Sequence, residues 1–154
     1  MAVSALWALD DNLPIFDHAV LIADLWLDDL MERLGWDDRY EAYESLRVTL
    51  HALRDNLPLQ TAIELGTQLP LLLRGIYYED WSSTIDLGQS TDLAAFLTPI
   101  YPLDAVHSHV DAEGVVHTVL TVLVEHLDAD TIRTISRDLP QALKILPPSD
   151  ALQG

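Results

Sequence analysis

The chain has 154 residues, of which 49% are apolar, and its 25 acidic and 8 basic residues give a net charge of −17. This length and apolar content predict one folded domain with its own core and exclude a mainly disordered chain. The charge argues against nucleic acid and anionic membranes as partners, because both need clustered Lys and Arg, and it favours basic proteins or divalent cations. A saline host would favour the same bias without any partner.

Three absences narrow the possible classes of protein. There is no cysteine, which excludes disulfides, a thiolate nucleophile and cysteine-based zinc sites. The segment from Met1 to Pro14 has no basic residue and does not resemble a signal peptide. No uncharged apolar run approaches the ~20 residues of a membrane span. We therefore expect a cytoplasmic protein.

Residues 1–14 are predicted to be a loosely held arm, and residues 15–81 to form a first helical repeat. Its first helix has apolar residues at spacings of three and four, which predict one buried stripe. Gly35 follows as the expected C-cap, where glycine tolerates a left-handed conformation. The predicted stripe consists of Phe16, Val20, Ala23, Leu27, Leu30 and Leu34.

The second helix is expected to begin after Asp38, with Glu41 in the reciprocal position of a capping-box variant. Pro58 is predicted to start the third helix and Pro70 the fourth, since proline suits a first helical turn. Ala62 and Leu65 should face the core from the third helix. The buried stripe predicted for the second helix consists of Tyr43, Leu46, Leu50, Leu53 and Leu57.

A shift of seventy residues aligns the second part of the chain with the first. The shift pairs Leu50 with Leu120 and Pro70 with Pro140, and most matches fall on predicted core positions. Residues 82–90 would be the linker, residues 91–146 the second repeat, and residues 147–154 a disordered tail. The predicted fold class is all-α, with about eight helices in two pseudo-symmetric four-helix repeats packed as one domain.

The segment from Val115 to Val124 is rich in β-branched residues, whose propensity favours a strand. Its apolar residues nevertheless keep the spacing of the second helix under the seventy-residue shift. Propensity is a weak prior against such a pattern, so we predict a helix here.

Three segments carry a resemblance to a known family: Leu34-Gly35-Trp36-Asp37-Asp38, Leu50 to Pro58, and Gln68 to Trp81. Together they resemble the bacterial family called domain of unknown function 2267, closely from Phe16 to Trp81 and weakly as far as Pro147. The resemblance implies a helical fold and a soluble bacterial protein. It supplies no catalytic role for any residue.

The end of the predicted fourth helix has the densest group of side chains that commonly anchor protein interfaces. Arginine beside aromatic rings can bind a carboxylate or stack on a ring, and Arg, Tyr and Trp often anchor protein interfaces. The alternative is structural: the aromatic rings seal the contact between the two halves, and Arg74 pairs with Glu79 or an aspartate. The candidate partner-binding residues are Arg74, Tyr77, Tyr78, Glu79 and Trp81, with Trp36 nearby.

The best candidate metal site is formed by His107, His109 and Asp111. Two histidines and a carboxylate at alternate positions can converge on one ion in an extended loop, and Glu113 or His117 could complete the set. The alternative is that Asp111 is a helix N-cap and that the histidines are ordinary surface residues. The spacing alone is a weak signal.

The sequence contains no phosphate-binding loop, nucleophile elbow or His-Glu-x-x-His motif, and we identify no catalytic residue. The leading hypothesis is a non-catalytic interaction or assembly module that binds a protein partner or another copy of itself, without a cofactor. The second hypothesis is a small protein that binds or senses a divalent metal. The third is an enzyme that uses Arg74 as an anion clamp and Tyr78 as an acid.

Overall fold

The computed structural model describes residues 13–81, 92–102 and 111–145. Over these ranges the chain forms seven α-helices and no strand, which confirms the all-α fold class. The predicted linker and tail, and all but the last two residues of the predicted arm, lie outside them. The helices are α1 (Pro14–Leu34), α2 (Arg39–Asn56), α3 (Leu59–Gln68), α4 (Leu71–Tyr78), α5 (Leu93–Leu97), α6 (Ala112–His126) and α7 (Ala129–Arg137), followed by a 3₁₀ helix at Gln141–Leu143.

The predicted C-terminal end of α1 and the predicted start of α2 are confirmed. Gly35 adopts a left-handed conformation with φ 70°, and the Trp36 N–H donates to the Met31 carbonyl at 3.0 Å. These are features of the Schellman termination that a glycine at this position permits. At the start of α2, the Asp38 carboxylate accepts hydrogen bonds from the backbone N–H groups of Tyr40 and Glu41.

The buried stripe predicted for α1 is wrong in its first half. Phe16 and Val20 are exposed and Leu27 is half-buried, whereas Leu30 and Leu34 lie in the core as expected. The physical reason is that the first half of α1 is apolar on nearly every side, so periodicity alone does not choose the buried side. The line that α1 buries runs through Ala19, Trp26, Leu30 and Leu34.

The stripe predicted for α2 is buried at Leu46, Leu50, Leu53 and Leu57, whereas Tyr43 is half-buried. Ala62 and Leu65 of α3 are buried as predicted. Pro58 and Pro70 each stand one residue before their helix, in the N-cap position. The β-branched segment from Val115 to Val124 lies within α6, which confirms the helix prediction.

The two halves differ most in their first and last helices. Under the seventy-residue shift, α2 and α6 both end at equivalent positions, Asn56 and His126, and α3 and α7 begin at equivalent positions, Leu59 and Ala129. At the positions seventy residues after α1, the described part of the second half has only the five-residue α5. At the positions seventy residues after α4, it has a three-residue 3₁₀ helix. The seven α-helices of the described ranges are close in number to the predicted eight.

One hydrophobic core joins the described helices. Its buried side chains come from all seven α-helices and the 3₁₀ helix. The long helix α1 packs against α2, α4 and α6, while α3 packs against α7. Contacts between the first and second halves are thus part of the core itself.

Candidate functional site

Arg74 stabilises the end of the preceding helix. Its guanidinium donates to the backbone carbonyls of Gly66, Thr67 and Leu69 at 3.0 to 3.1 Å. The last carbonyls of a helix lack partners within the helix and carry its negative dipole end, so a cation there is favourable. Arg74 is therefore paired within the chain, as the structural alternative expects, but with carbonyl groups rather than with Glu79 or an aspartate.

The two tyrosines of α4 are held by packing. Tyr77 is fully buried, and its hydroxyl donates to the Ala62 carbonyl at 2.6 Å. Burial raises the pKa of Tyr77 far above that of an exposed tyrosine. The half-buried Tyr78 packs edge-on against Tyr77 at 4.9 Å and lies 5.5 Å from Trp81 between ring centroids.

Gly66 permits the close approach of Tyr78 to α3. A Cβ atom added at Gly66 would lie 2.1 Å from the Tyr78 hydroxyl oxygen and 2.6 Å from the ring carbon that bears it. Gly66 thus makes room for an aromatic ring of α4.

Two side chains of α2 bind the C-terminal end of α4. Arg54 is almost buried and donates to the carbonyls of Tyr77 at 2.9 Å and Glu79 at 2.7 Å, while Asp55 accepts from its Nε at 2.9 Å. His51 Nε2 lies 2.7 Å from the Ile76 carbonyl oxygen, which fits a neutral ring that donates from this nitrogen. Burial, followed by the charges of Arg54 and Arg47, lowers the pKa of His51.

Sequence reasoning missed the roles of His51 and Arg54. The signal that could have indicated them is their i, i+3 spacing beside the Leu50 and Leu53 stripe, which places both side chains on one side of α2. Their carbonyl partners are 23 to 25 residues away, so no local pattern identifies these contacts.

Gln68 joins the two halves through hydrogen bonds. Its amide oxygen accepts from the Asp128 N–H at 3.0 Å, and its amide nitrogen donates to the Asp128 carboxylate at 2.7 Å and to the Thr131 hydroxyl. Asp128 also accepts from the Thr131 N–H as the N-cap of α7. These bonds, first those from Thr131 and then that from Gln68, lower the pKa of Asp128.

A surface pocket lies between α1, the end of α6 and the junction of α3 with α4. Its volume is about 330 Å³. The Trp26 and His126 rings stack there with 4.6 Å between centroids and 26° between planes. The lining is mostly apolar, consisting of His18, Ile22, Leu25, Trp26, Gln68, Pro70 and His126.

The largest concentration of exposed apolar side chains lies beside this pocket. We call it the α1 face, and it consists of Leu13, Ile15, Phe16, Val20, Leu21 and Leu25. Each of these residues exposes between 51% and 59% of its surface. From Pro14 to Trp26, the only residues with ionisable side chains are Asp17, His18 and Asp24. A helix that is apolar on nearly every side is normally covered by other protein.

The predicted partner-binding residues divide by exposure. Trp36 and Tyr77 are buried, so they can support a binding surface from beneath but cannot form its exposed part. Arg74 and Glu79 are exposed, and Tyr78 and Trp81 are half-buried. All of these except Trp36 lie at the C-terminal end of α4 or one turn before it.

The predicted metal ligands His107 and His109 lie outside the described residues. Asp111 is the N-cap of α6, as the structural alternative expects, and accepts from the Gly114 N–H at 2.8 Å. Glu113 lies 3.7 Å from His117. The described ranges contain no group of three or more His, Cys, Asp or Glu side chains arranged to hold a metal ion. They also contain no helix with the length and apolarity to cross a membrane.

Comparison with known protein families identifies a relationship that covers most of the chain. The family model for the uncharacterized conserved protein DUF2267 matches residues 23–146, which run through both halves from α1 to the 3₁₀ helix. None of the curated proteins matches the chain. Because the family model spans most of the sequence, the chain belongs to the DUF2267 family.

Proposed function

We propose that this protein is a non-catalytic interaction or assembly module that binds a protein partner on the α1 face. The observation that carries the proposal is the half-exposure of all six side chains of that face. Six large apolar side chains exposed to this degree present roughly 600 Å², at the upper end of the range for the largest apolar patch on a typical monomer. The family resemblance implies a bacterial protein, and we propose a cytoplasmic location for it.

The electrostatic state of the molecule supports a binding role over a catalytic one. Perturbed pKa values often mark catalytic groups, and two of the perturbed side chains are His51 and Tyr77. Both use their polar atoms in hydrogen bonds that fix α4. These groups therefore serve the fold, and we assign no catalytic residue.

The end of α4 is the second surface that we propose for partner contact. Arg74, Tyr78, Glu79 and Trp81 are at least partly exposed there. Arginine and the large aromatic residues are the side chains that most often anchor interfaces. Arg74 and the tyrosines also hold α3 and α4 together, so substitutions at these positions would change folding and binding at once.

We also propose that the two halves are copies of one four-helix unit. The equivalent ends of α2 and α6 and the equivalent starts of α3 and α7 support this interpretation. So do Arg74 and Lys144, seventy residues apart, which donate to equivalent carbonyls: Arg74 to Gly66 and Thr67, and Lys144 to Ser136 and Arg137. The α1 face would then be a feature of the first copy.

Affinity capture from the host tests the interaction role. The tagged protein is compared with Leu21→Glu/Leu25→Glu and with a matched control, Leu59→Glu/Ile63→Glu. Both variants replace two exposed apolar residues four positions apart on one helix and add the same charge. We expect a partner that wild type and the control retain and the α1 variant loses. The same proteins captured by all three, or none by any, would contradict the proposal.

A further inference from the structure

Resting on the proposed function, we infer that the partner of the α1 face is an amphipathic helix with lysine or arginine within its apolar side. The positions of the carboxylates on α1 support this partner. At about 100° per residue, Phe16 and Val20 fall on one side of α1 and Leu21 and Leu25 on another, while Ile15 lies opposite Asp24. Asp17 and Asp24 lie between these two sides.

The charged side chains that α1 itself carries along this face are acidic. From residue 13 to residue 32 the chain carries Asp17, Asp24, Asp28, Asp29 and Glu32 but no lysine or arginine. A second copy of the chain would therefore bring carboxylate against carboxylate across this face. A helix with basic residues at the matching positions would bring opposite charges together, which favours both the correct partner and faster association.

Some of these five acidic side chains already form ion pairs within the chain. Arg39 lies 2.6 Å from the Asp28 carboxylate and 3.5 Å from that of Asp24, and Arg33 pairs with Asp29 at 2.7 Å. Asp17 forms no ion pair within the described ranges. Asp17 lies at the N-terminal end of α1, next to Phe16 and Val20, and this carboxylate should contact a basic residue of the partner.

The dimensions of the site define the partner segment. The α1 face spans twelve residue steps from Leu13 to Leu25, or about 18 Å at the helical rise. A partner segment of three to four helical turns is enough to cover it. The pocket of about 330 Å³ beside Leu25 has an apolar wall of Ile22, Trp26 and Pro70, and it can receive one large apolar side chain as an anchor.

Three synthetic helical peptides test the inference. They share one leucine face and differ only at the positions that flank and interrupt it, which are all Lys, all Gln or all Glu. We expect the Lys peptide to bind most tightly and the Glu peptide least, and the affinity for the Lys peptide to fall as salt increases. Isothermal titration calorimetry with the 154-residue protein measures each affinity.

Two variants separate the apolar from the electrostatic contribution. Leu21→Glu/Leu25→Glu should lose binding of the Lys and Gln peptides by about a hundredfold, as expected when central apolar contacts are removed. Leu59→Glu/Ile63→Glu should retain it. Asp17→Asn/Asp24→Asn should weaken the Lys peptide by about threefold to tenfold and leave the Gln peptide unchanged, because exposed ion pairs contribute little each.

The possible failures are distinguishable. Equal binding of the Lys and Gln peptides, unaffected by Asp17→Asn/Asp24→Asn but lost in the α1 variant, would overturn the basic partner and leave the interaction role intact. Peptide binding that ignores the α1 variant would overturn both proposals. A dimer detected by light scattering that Leu21→Glu/Leu25→Glu converts to monomer would identify a second copy as the occupant and overturn the inference.

Discussion

In both halves of the described chain, a basic side chain caps the end of a helix, α3 in the first half and α7 in the second. The two halves differ in the element that follows. Arg74 donates to three carbonyls at the end of α3, and Lys144 donates to two at the end of α7. Arg74 lies within the eight-residue α4, whereas the 3₁₀ helix before Lys144 has three residues. The first half therefore contains a helix that the described second half lacks.

The side chains that bind the end of α4 differ in the same way. His51 and Arg54 bond the carbonyls of α4, and the residues seventy positions later are Thr121 and Val124. Val124 has no side-chain donor, and the Thr121 hydroxyl donates to the His117 carbonyl within α6. The capping residues thus occur in the half that contains α4, which indicates that they serve α4 rather than a ligand.

Truncation of core leucines should produce the largest losses of stability, and the losses should be similar in the two halves. Leu50 and Leu120 occupy equivalent, fully buried positions on α2 and α6. Leu50→Ala and Leu120→Ala should each lower the free energy of unfolding by about 2–5 kcal/mol, since each leaves a cavity. Chemical denaturation measures both. A loss below about 1 kcal/mol in one half only would show that the two halves do not contribute equally to the core.

Removal of the Arg54 cap should have an intermediate effect that is specific to the first half. Arg54→Met leaves the carbonyls of Tyr77 and Glu79 without this donor, and we expect a loss of about 1.5–3 kcal/mol, typical of hydrogen bonds to a charged group. Arg47→Met is the control, because Arg47 pairs with Glu44 at a more exposed site and should cost about 0–1 kcal/mol.

Hydrogen exchange locates the Arg54 effect. The amides of α4 should exchange faster in Arg54→Met than in wild type, while those of α6 and α7 stay protected. Uniformly faster exchange in all helices would mean that Arg54 supports the whole core rather than the end of α4.

The smallest effect is a pH dependence assigned to His51. Its pKa is lowered from 6.5 in the folded state, so the unfolded chain binds the proton first as pH falls. The stability that His51 contributes is fully present above pH 6.5 and is lost as pH falls through the lower folded pKa. Denaturation of wild type and His51→Gln between pH 7.5 and pH 5 isolates this contribution. A decline with the same slope in both proteins would show that His51 is not its source.

Local features of the fold could be predicted from sequence, whereas long-range ones could not. The caps at Gly35, Asp38 and Asp111 depend on neighbouring residues, and the core stripe of α2 stands out because its other sides are polar. The buried side of α1 could not be chosen, since apolar residues surround its first half. The partners of Arg74, His51 and Arg54 are carbonyl groups, which no side-chain pattern reveals.

The α1 face is proposed to bind a partner and not to belong to the core. The most direct test measures the free energy of unfolding and partner binding of Leu21→Glu/Leu25→Glu in the same preparation. We predict a change in unfolding free energy within about 1 kcal/mol, as for exposed positions, together with loss of binding. A drop of several kcal/mol with binding retained by the folded fraction would show that these leucines belong to the core and would contradict the proposed role of the α1 face.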